Sequence, residues 1–101
     1  MMQNFEVYQL KLNEFSSEEL FNIRFKPNAE LILNAKNQYK KVAVIQAENY
    51  DHVFEISNIG EEDLITRLAP MHSVSVGDVI VNEAGKAVFV DNFGFGNVQF
   101  N

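Results

Sequence analysis

The chain has 101 residues, of which 47% are apolar and 22% are charged, and it contains no cysteine. This length and composition fit one globular domain with one core, which we expect to span residues 1–101. The absence of cysteine excludes disulfides, thiolate metal sites and thiol nucleophiles. No apolar run approaches the roughly 18 residues of a membrane span, and the first residues lack the features of a signal peptide. We therefore expect a cytoplasmic protein that does not contact membranes.

The net charge of −6 is unevenly distributed along the chain. Residues 1–50 carry six basic and six acidic groups, whereas residues 51–101 carry two basic and eight acidic groups, so the excess charge lies in the second half. Such a field repels phosphate and attracts basic surfaces, which disfavours direct nucleic-acid binding and favours a protein partner. The alternative is that the acids only keep a small protein soluble.

The N-terminal region predicts a strand followed by a short helix. Residues 5–12 alternate, with Phe5 and Val7 on one face and apolar side chains on the other as well, which indicates a strand in the middle of a sheet. Residues 16–19 form a capping box, and a helix is expected to continue to about Arg24 and to end before Pro27.

The middle of the chain predicts a strand between two helices. Residues 29–36 read as a helix capped by Asn28, although their apolar run also suits a strand. Residues 40–47 are β-branched and predict a strand. Asn49 or Asp51 is expected to cap the next helix, which stops at Gly60. The face of that helix is expected to carry Tyr50, Val53, Phe54 and Ser57.

The C-terminal region predicts a β-hairpin. Residues 61–68 read as a short helical turn or a surface loop, and residues 72–82 and 85–90 read as two strands around a tight turn. A last strand is expected at residues 96–100. The valines expected to share the buried face of the hairpin are Val79, Val81, Val88 and Val90. The predicted fold class is α+β, with a small mixed or antiparallel sheet, two to three short helices and a C-terminal β-hairpin.

Three segments resemble a family of small proteins encoded by mobile elements. Residues 5–11 (FEVYQLK), 73–80 (SVSVGDVI) and 90–95 (VDNFGF) resemble the "YQL" strand and the "SLSVSDV…VDSFGF" hairpin of the YodL-like proteins of plasmids, conjugative elements and phages. Residues 53–58 (VFEISN) resemble the "vFelTN" helix of phage and plasmid relatives.

The chain departs from this pattern at two points. Met71 and His72 stand where an arginine often precedes the serine, and Asn92 stands where serine is usual. The YodL-like relatives are mostly accessory proteins without an assigned reaction. The resemblance therefore implies a mobile-element context and no particular chemistry.

The sequence predicts no catalytic, cofactor or metal site, and we expect a protein that is not an enzyme. Ser73 would need His72 as its base, but adjacent side chains of an extended segment point to opposite sides. His52 and Glu55 lie three residues apart on a predicted helix, and with His72 they supply at most a weak metal-ligand pattern, since such pairs are common on solvated faces.

The hairpin region offers other features with structural explanations. Asp78 is expected to close a turn by accepting a hydrogen bond from a nearby backbone amide. Gly94 and Gly96 are expected to permit a bend or bulge at a sheet edge. Core packing is the expected role of Phe89, Phe93, Phe95 and Phe100, because a stacking platform for single-stranded nucleic acid also needs a basic groove.

These observations leave two functional hypotheses. The first is a non-enzymatic protein that binds a protein partner through an acidic surface and inhibits a nucleic-acid-directed defence system, such as a restriction or CRISPR effector. Its predicted partner-binding residues are Asp51, Glu55, Glu61, Glu62 and Asp63. The alternative is a small regulatory or nucleic-acid-binding module that uses basic residues of the first half. Those residues are Arg24, Lys26, Lys36, Lys40 and Lys41.

Overall fold

A computed structural model describes residues 2–11 and 22–100 of the chain. It shows an antiparallel sheet with short helices, which confirms the predicted α+β class. The strands and helices are β1 (Gln3–Leu10), α1 (Ala29–Asn34), β2 (Tyr39–Ala47), α2 (Tyr50–Ile59), β3 (Ile65–Arg67), β4 (Val79–Val81), β5 (Ala87–Asp91) and β6 (Gly94–Val98).

Shorter helical pieces complete the described secondary structure. Residues 22–25 are helical, and 3₁₀ turns occupy Lys36–Gln38 and Glu62–Leu64. The capping box predicted at residues 16–19 lies outside the described residues.

The six strands form one sheet in the order β3-β2-β1-β4-β5-β6, and every neighbouring pair is antiparallel. The first strand of the chain, β1, lies between β2 and β4, as its apolar residues on both faces predicted. The edges of the sheet are β3 and β6.

The sheet buries side chains on both of its faces. One face packs against α2 and the other packs against α1, so the protein has three layers. The α2 side contains Phe5, Val7, Ala43, Ile45, Val53, Ile56, Ile80, Val88 and Val90. The α1 side contains Leu10, Ile32, Tyr39, Val79, Val81, Ala87, Phe89, Val98 and Phe100.

The hairpin of β4 and β5 is present, but its four valines do not share a face. In the observed register Val79 lies opposite Phe89, and Ile80 lies opposite Val88. Val79 and Val81 therefore pack on the α1 side, whereas Val88 and Val90 pack on the α2 side. The prediction of one buried face was wrong because the middle strands are covered on both sides, so alternation carries no information there.

Two helices begin where the sequence predicted, and α2 also ends there, whereas α1 ends at Asn34 rather than at the predicted residue 36. The side chain of Asn28 accepts a hydrogen bond from the Leu31 amide and caps α1, and Asn49 caps α2 by accepting from the His52 amide. Gly60 ends α2 with a φ of 83°, in the left-handed region that favours glycine. Residues 29–34 are thus helical rather than extended.

One C-terminal prediction needs correction, and another is confirmed in one of its two alternatives. Residues 61–68 contain a strand, β3, after one 3₁₀ turn, because Ile65 lies opposite Ile45 and is buried there. Gly94, with a φ of 143°, follows the tight turn between β5 and β6 at the sheet edge, as the predicted bend requires, but β6 pairs residue for residue with β5 and has no bulge. Gly96 is required for a different reason: a Cβ at this position would lie 2.3 Å from the Cζ of Phe89.

Candidate functional site

The five acidic residues predicted to bind a partner are all exposed. Asp51 and Glu55 lie one turn apart on α2, and the other three lie in the segment directly after this helix. We call Asp51, Glu55, Glu61, Glu62 and Asp63 the acidic surface.

The packing of α2 determines which way this surface faces. Val53 and Ile56 are buried against the sheet, so Asp51 and Glu55 project from the opposite side of the helix. At the helix end, the amides of Gly60 and Glu61 both donate to the Ile56 carbonyl oxygen, at 2.8 and 3.3 Å. These bonds fix the position of the acidic segment relative to α2.

One acid of the surface has a cationic partner. Nη2 of Arg67 lies 2.6 Å from Oε2 of Glu62, and its Nε donates to the other carboxylate oxygen at 3.0 Å. These hydrogen bonds lower the pKa of Glu62. The pair is solvent-exposed, so it contributes little to stability, but it neutralises part of the local charge.

Two apolar side chains are exposed beside the acids on α2. Phe54 is 38% exposed and Ile59 is 64% exposed. Phe54 was expected to share one face of the helix with Val53 and Ser57, but these two residues are buried whereas Phe54 is exposed. Apolar side chains among charges are typical of protein-binding surfaces, where they anchor the contact.

The basic residues of the alternative hypothesis are largely engaged within the chain. Nζ of Lys41 lies 2.7 Å from a carboxylate oxygen of Glu6, and Lys36 lies over the ring of Phe100. The guanidinium of Arg24 bonds to the side chains of Ser75 and His72. Such contacts reduce the charge available for phosphates.

A polar cluster, of which Gln9 and Asp78 are buried, joins three distant parts of the chain at the end of the sheet where β4 begins. It consists of Gln9, Arg24, His72, Ser75 and Asp78. Of these residues, Asp78 was predicted only to close a turn. Oδ2 of Asp78 accepts from the Ser75 amide at 3.0 Å and from Nε2 of Gln9 at 3.1 Å. The Ser75 bond confirms the predicted turn. It is completed by the Asp78 amide, which donates to the Ser75 carbonyl oxygen.

Arg24 closes the cluster from the outside. Its Nη1 donates to Oγ of Ser75 at 2.7 Å and lies 4.0 Å from Oδ1 of Asp78. Its Nη2 lies 3.1 Å from Nε2 of His72. Because a guanidinium only donates, Nε2 of His72 accepts this bond.

The carboxylate of Asp78 has an unusual electrostatic environment. The residue is fully buried, and its Oδ1 has no hydrogen-bond partner among residues 2–11 and 22–100. Burial raises the pKa of Asp78 to about 6, although the Ser75 amide, the charge of Arg24 and the hydrogen bond from Gln9 oppose the shift. A group without solvent contact cannot exchange protons with a substrate directly, so we interpret this cluster as structural.

The serine and histidine candidates are not arranged for nucleophilic catalysis. Nδ1 of His72 lies 2.7 Å from the carbonyl oxygen of Ser73, so this ring nitrogen donates to the backbone. With Nε2 accepting from Arg24, both ring nitrogens are engaged. His52 accepts from the Glu48 amide. Within residues 2–11 and 22–100, no three His, Asp or Glu side chains are grouped closely enough to hold a metal ion.

The four C-terminal phenylalanines do not form a stacking platform. Phe89 and Phe100 are buried on the α1 side and Phe95 is half-buried, as expected for core residues. Phe93 is fully exposed in the turn between β5 and β6, so the prediction of core packing was wrong for this residue.

Comparison with known proteins gives no match to a family model, a curated protein or a solved structure. The resemblance to the YodL-like proteins therefore stays a prediction. In the part of the chain that the structure describes, no helix is both long and apolar enough to cross a membrane.

Sequence reasoning did not identify the exposed apolar residues or the polar cluster. Ile59 precedes the stop at Gly60, and a residue at the last turn of a short helix is a candidate for exposure. The cluster carries no local signal, because Gln9, Arg24 and Asp78 are separated by long stretches of chain.

Proposed function

We propose that this protein acts without catalysis, by binding a basic protein through the acidic surface. The observation that carries the proposal is that all five acids, on one helix and the segment directly after it, are exposed, as are Phe54 and Ile59 of the same helix. Charge of one sign speeds association with a basic surface, and apolar side chains at its centre hold the complex.

The proposed partner is a nucleic-acid-binding protein, such as a restriction or CRISPR effector. A basic channel that attracts phosphates also attracts a surface of clustered carboxylates. Occupation of that channel would block the nucleic acid, which makes the chain an inhibitor of a defence system. The resemblance to proteins of mobile elements is the second support, since such elements benefit from inhibitors of this kind.

A capture experiment tests the proposal. The wild-type chain is immobilised and exposed to extract of its host, alongside the variant Glu55→Gln/Glu61→Gln/Asp63→Asn, which leaves the Glu62–Arg67 pair intact. The matched control is Glu30→Gln/Glu83→Gln/Asp91→Asn, which changes the net charge equally at positions outside the acidic surface. We expect the wild type and the control to capture a basic protein that the acidic-surface variant does not.

Competition by nucleic acid then tests the class of partner. Excess duplex DNA or RNA should release the captured protein, because both ligands would use the same basic surface. Equal capture by all three chains would contradict the proposal. Salt-dependent binding of nucleic acid to this chain itself, lost on reversing the charges of Lys40 and Lys41, would favour the alternative hypothesis.

A further inference from the structure

The edge strand β6 directs backbone hydrogen-bonding groups away from the sheet. The Val90 amide donates to the Asp78 carbonyl oxygen, and the Val90 carbonyl oxygen accepts from the Gly77 amide, both at 2.9 Å. Val90 therefore faces β4 and forms a non-hydrogen-bonded pair with Phe95, which lies opposite it. By the alternation of an antiparallel ladder, the N–H and C=O of Phe95 and of Asn97 point outward.

The sequence and register of this edge strand show no charge, proline or bulge that would oppose pairing. Natural edge strands carry charges, prolines or bulges, or are very short. Residues 94–100 read GFGNVQF, without charge or proline, and β6 is five residues long without a bulge. The opposite edge differs, since β3 has three residues, contains Arg67 and follows three acids.

We infer that β6 pairs with β6 of a second copy of this chain. The two strands run antiparallel about a two-fold axis at Gly96, which places Phe95 opposite Asn97 of the second copy. In this register the outward N–H and C=O of each residue bond to those of the other, so every outward group within the pair is satisfied. The sheets of the two copies then join into one.

Charge and packing identify a second copy as the occupant. The chain is acidic overall, but residues 94–100 are uncharged, so two such edges approach without local repulsion. Beside the edge lies a groove of about 670 Å³, where Leu33, Val98 and Phe100 contribute to the walls. Val98 and Phe100 are buried, whereas Leu33 is 39% exposed and supplies apolar contact area beyond the backbone bonds.

Pairing at β6 is independent of the proposed function. Glu61, Glu62 and Asp63 precede β3 directly, and β3 is the opposite edge of the sheet. The acidic segment after α2 therefore stays accessible in the paired form.

The test measures the mass of the species in solution by light scattering as the concentration of the purified chain rises from about 1 μM to about 1 mM, the range of ordinary association. The wild type should reach the mass of two chains. Asn97→Pro should stay at one chain, because proline removes an outward N–H that the intramolecular ladder does not use. Asn97→Ala keeps this amide and should pair like the wild type.

Amide exchange on the wild-type chain provides a test that needs no variant. When about nine-tenths of the chains are paired, exchange at the Phe95 and Asn97 amides should be about tenfold slower than in dilute solution. A single-chain mass at every concentration would overturn the inference. Pairing of a folded Asn97→Pro variant, or a concentration effect on β3 amides instead, would overturn it too.

Discussion

Asp78 shows how one residue can serve the fold at a cost in electrostatic energy. Its side chain closes the turn at Ser75 and ties β1 to the start of β4 through Gln9. The turn was predictable, because a glycine followed by an aspartate is a local signal. The partners Gln9 and Arg24 were not predictable, since their approach depends on the tertiary fold. The carboxylate is buried, and one of its oxygens accepts no hydrogen bond from the residues that the structure describes, so its ionised form is disfavoured.

This burial predicts a pH-dependent effect of Asp78→Asn. The pKa of Asp78 is about 6 in the folded protein, whereas its ordinary value, which applies in the unfolded chain, is 3.8. The folded protein therefore binds this proton more tightly than the unfolded chain does. The wild type therefore loses stability as the pH rises from about 4 to about 6, and the loss persists above this range. Asparagine keeps an acceptor for Ser75 and Gln9 and carries no charge.

The measurement is the free energy of unfolding of both proteins, by denaturant titration, at pH 3.5 and 7.5. Between these values, the stability of Asp78→Asn relative to the wild type should rise by about 2–3 kcal/mol. Asp63→Asn, which changes an exposed carboxylate, is the control and should show little change. A pH-independent difference for Asp78→Asn would contradict the assignment.

Helices and turns with strong local sequence signals were predictable. A very short strand, and the orientation of side chains in strands buried on both faces, were not. The caps of α1 and α2 and the turn between β4 and β5 follow from residue types at fixed positions. β3 was missed because three residues after a run of acids resemble a helical turn, and only pairing with β2 makes them a strand. Val79 and Val88 were wrongly predicted to lie on the same face of the hairpin, because both of its faces are apolar.

The close contact between β5 and β6 predicts a specific effect of Gly96→Ala. The new Cβ would lie 2.3 Å from Cζ of the buried Phe89 ring, so the ring or the strand must shift. We expect a loss of about 1–3 kcal/mol in the free energy of unfolding, the usual effect of overpacking a core.

A double-mutant cycle provides the control for this contact. Phe89→Leu removes the ring atoms that the new methyl would meet, so Gly96→Ala should cost less in the Phe89→Leu background than in the wild type. Equal costs in the two backgrounds would show that the Phe89 ring is not the cause.

At the scale of the whole molecule, the uneven charge is the feature most directly readable from the sequence. The excess of acids after residue 50 predicted an acidic surface, and the structure exposes all five of the named residues. The exposure of Phe54 was not predictable, because helical spacing places it beside both buried and exposed positions. The composition of the chain predicts only that the partner is positively charged and does not identify the partner further.

The rate of association with the captured partner, measured at increasing salt concentrations, tests the central claim most directly. For Glu55→Gln/Glu61→Gln/Asp63→Asn, we predict an association about tenfold slower than for the wild type at low salt and a flatter salt dependence, because the acids steer the encounter. The control Glu30→Gln/Glu83→Gln/Asp91→Asn should stay close to the wild type. Equal slowing of association by both variants would mean that only the net charge of the chain matters. An unchanged rate for the first variant would mean that the partner binds elsewhere. Either result would contradict the proposed role of the acidic surface.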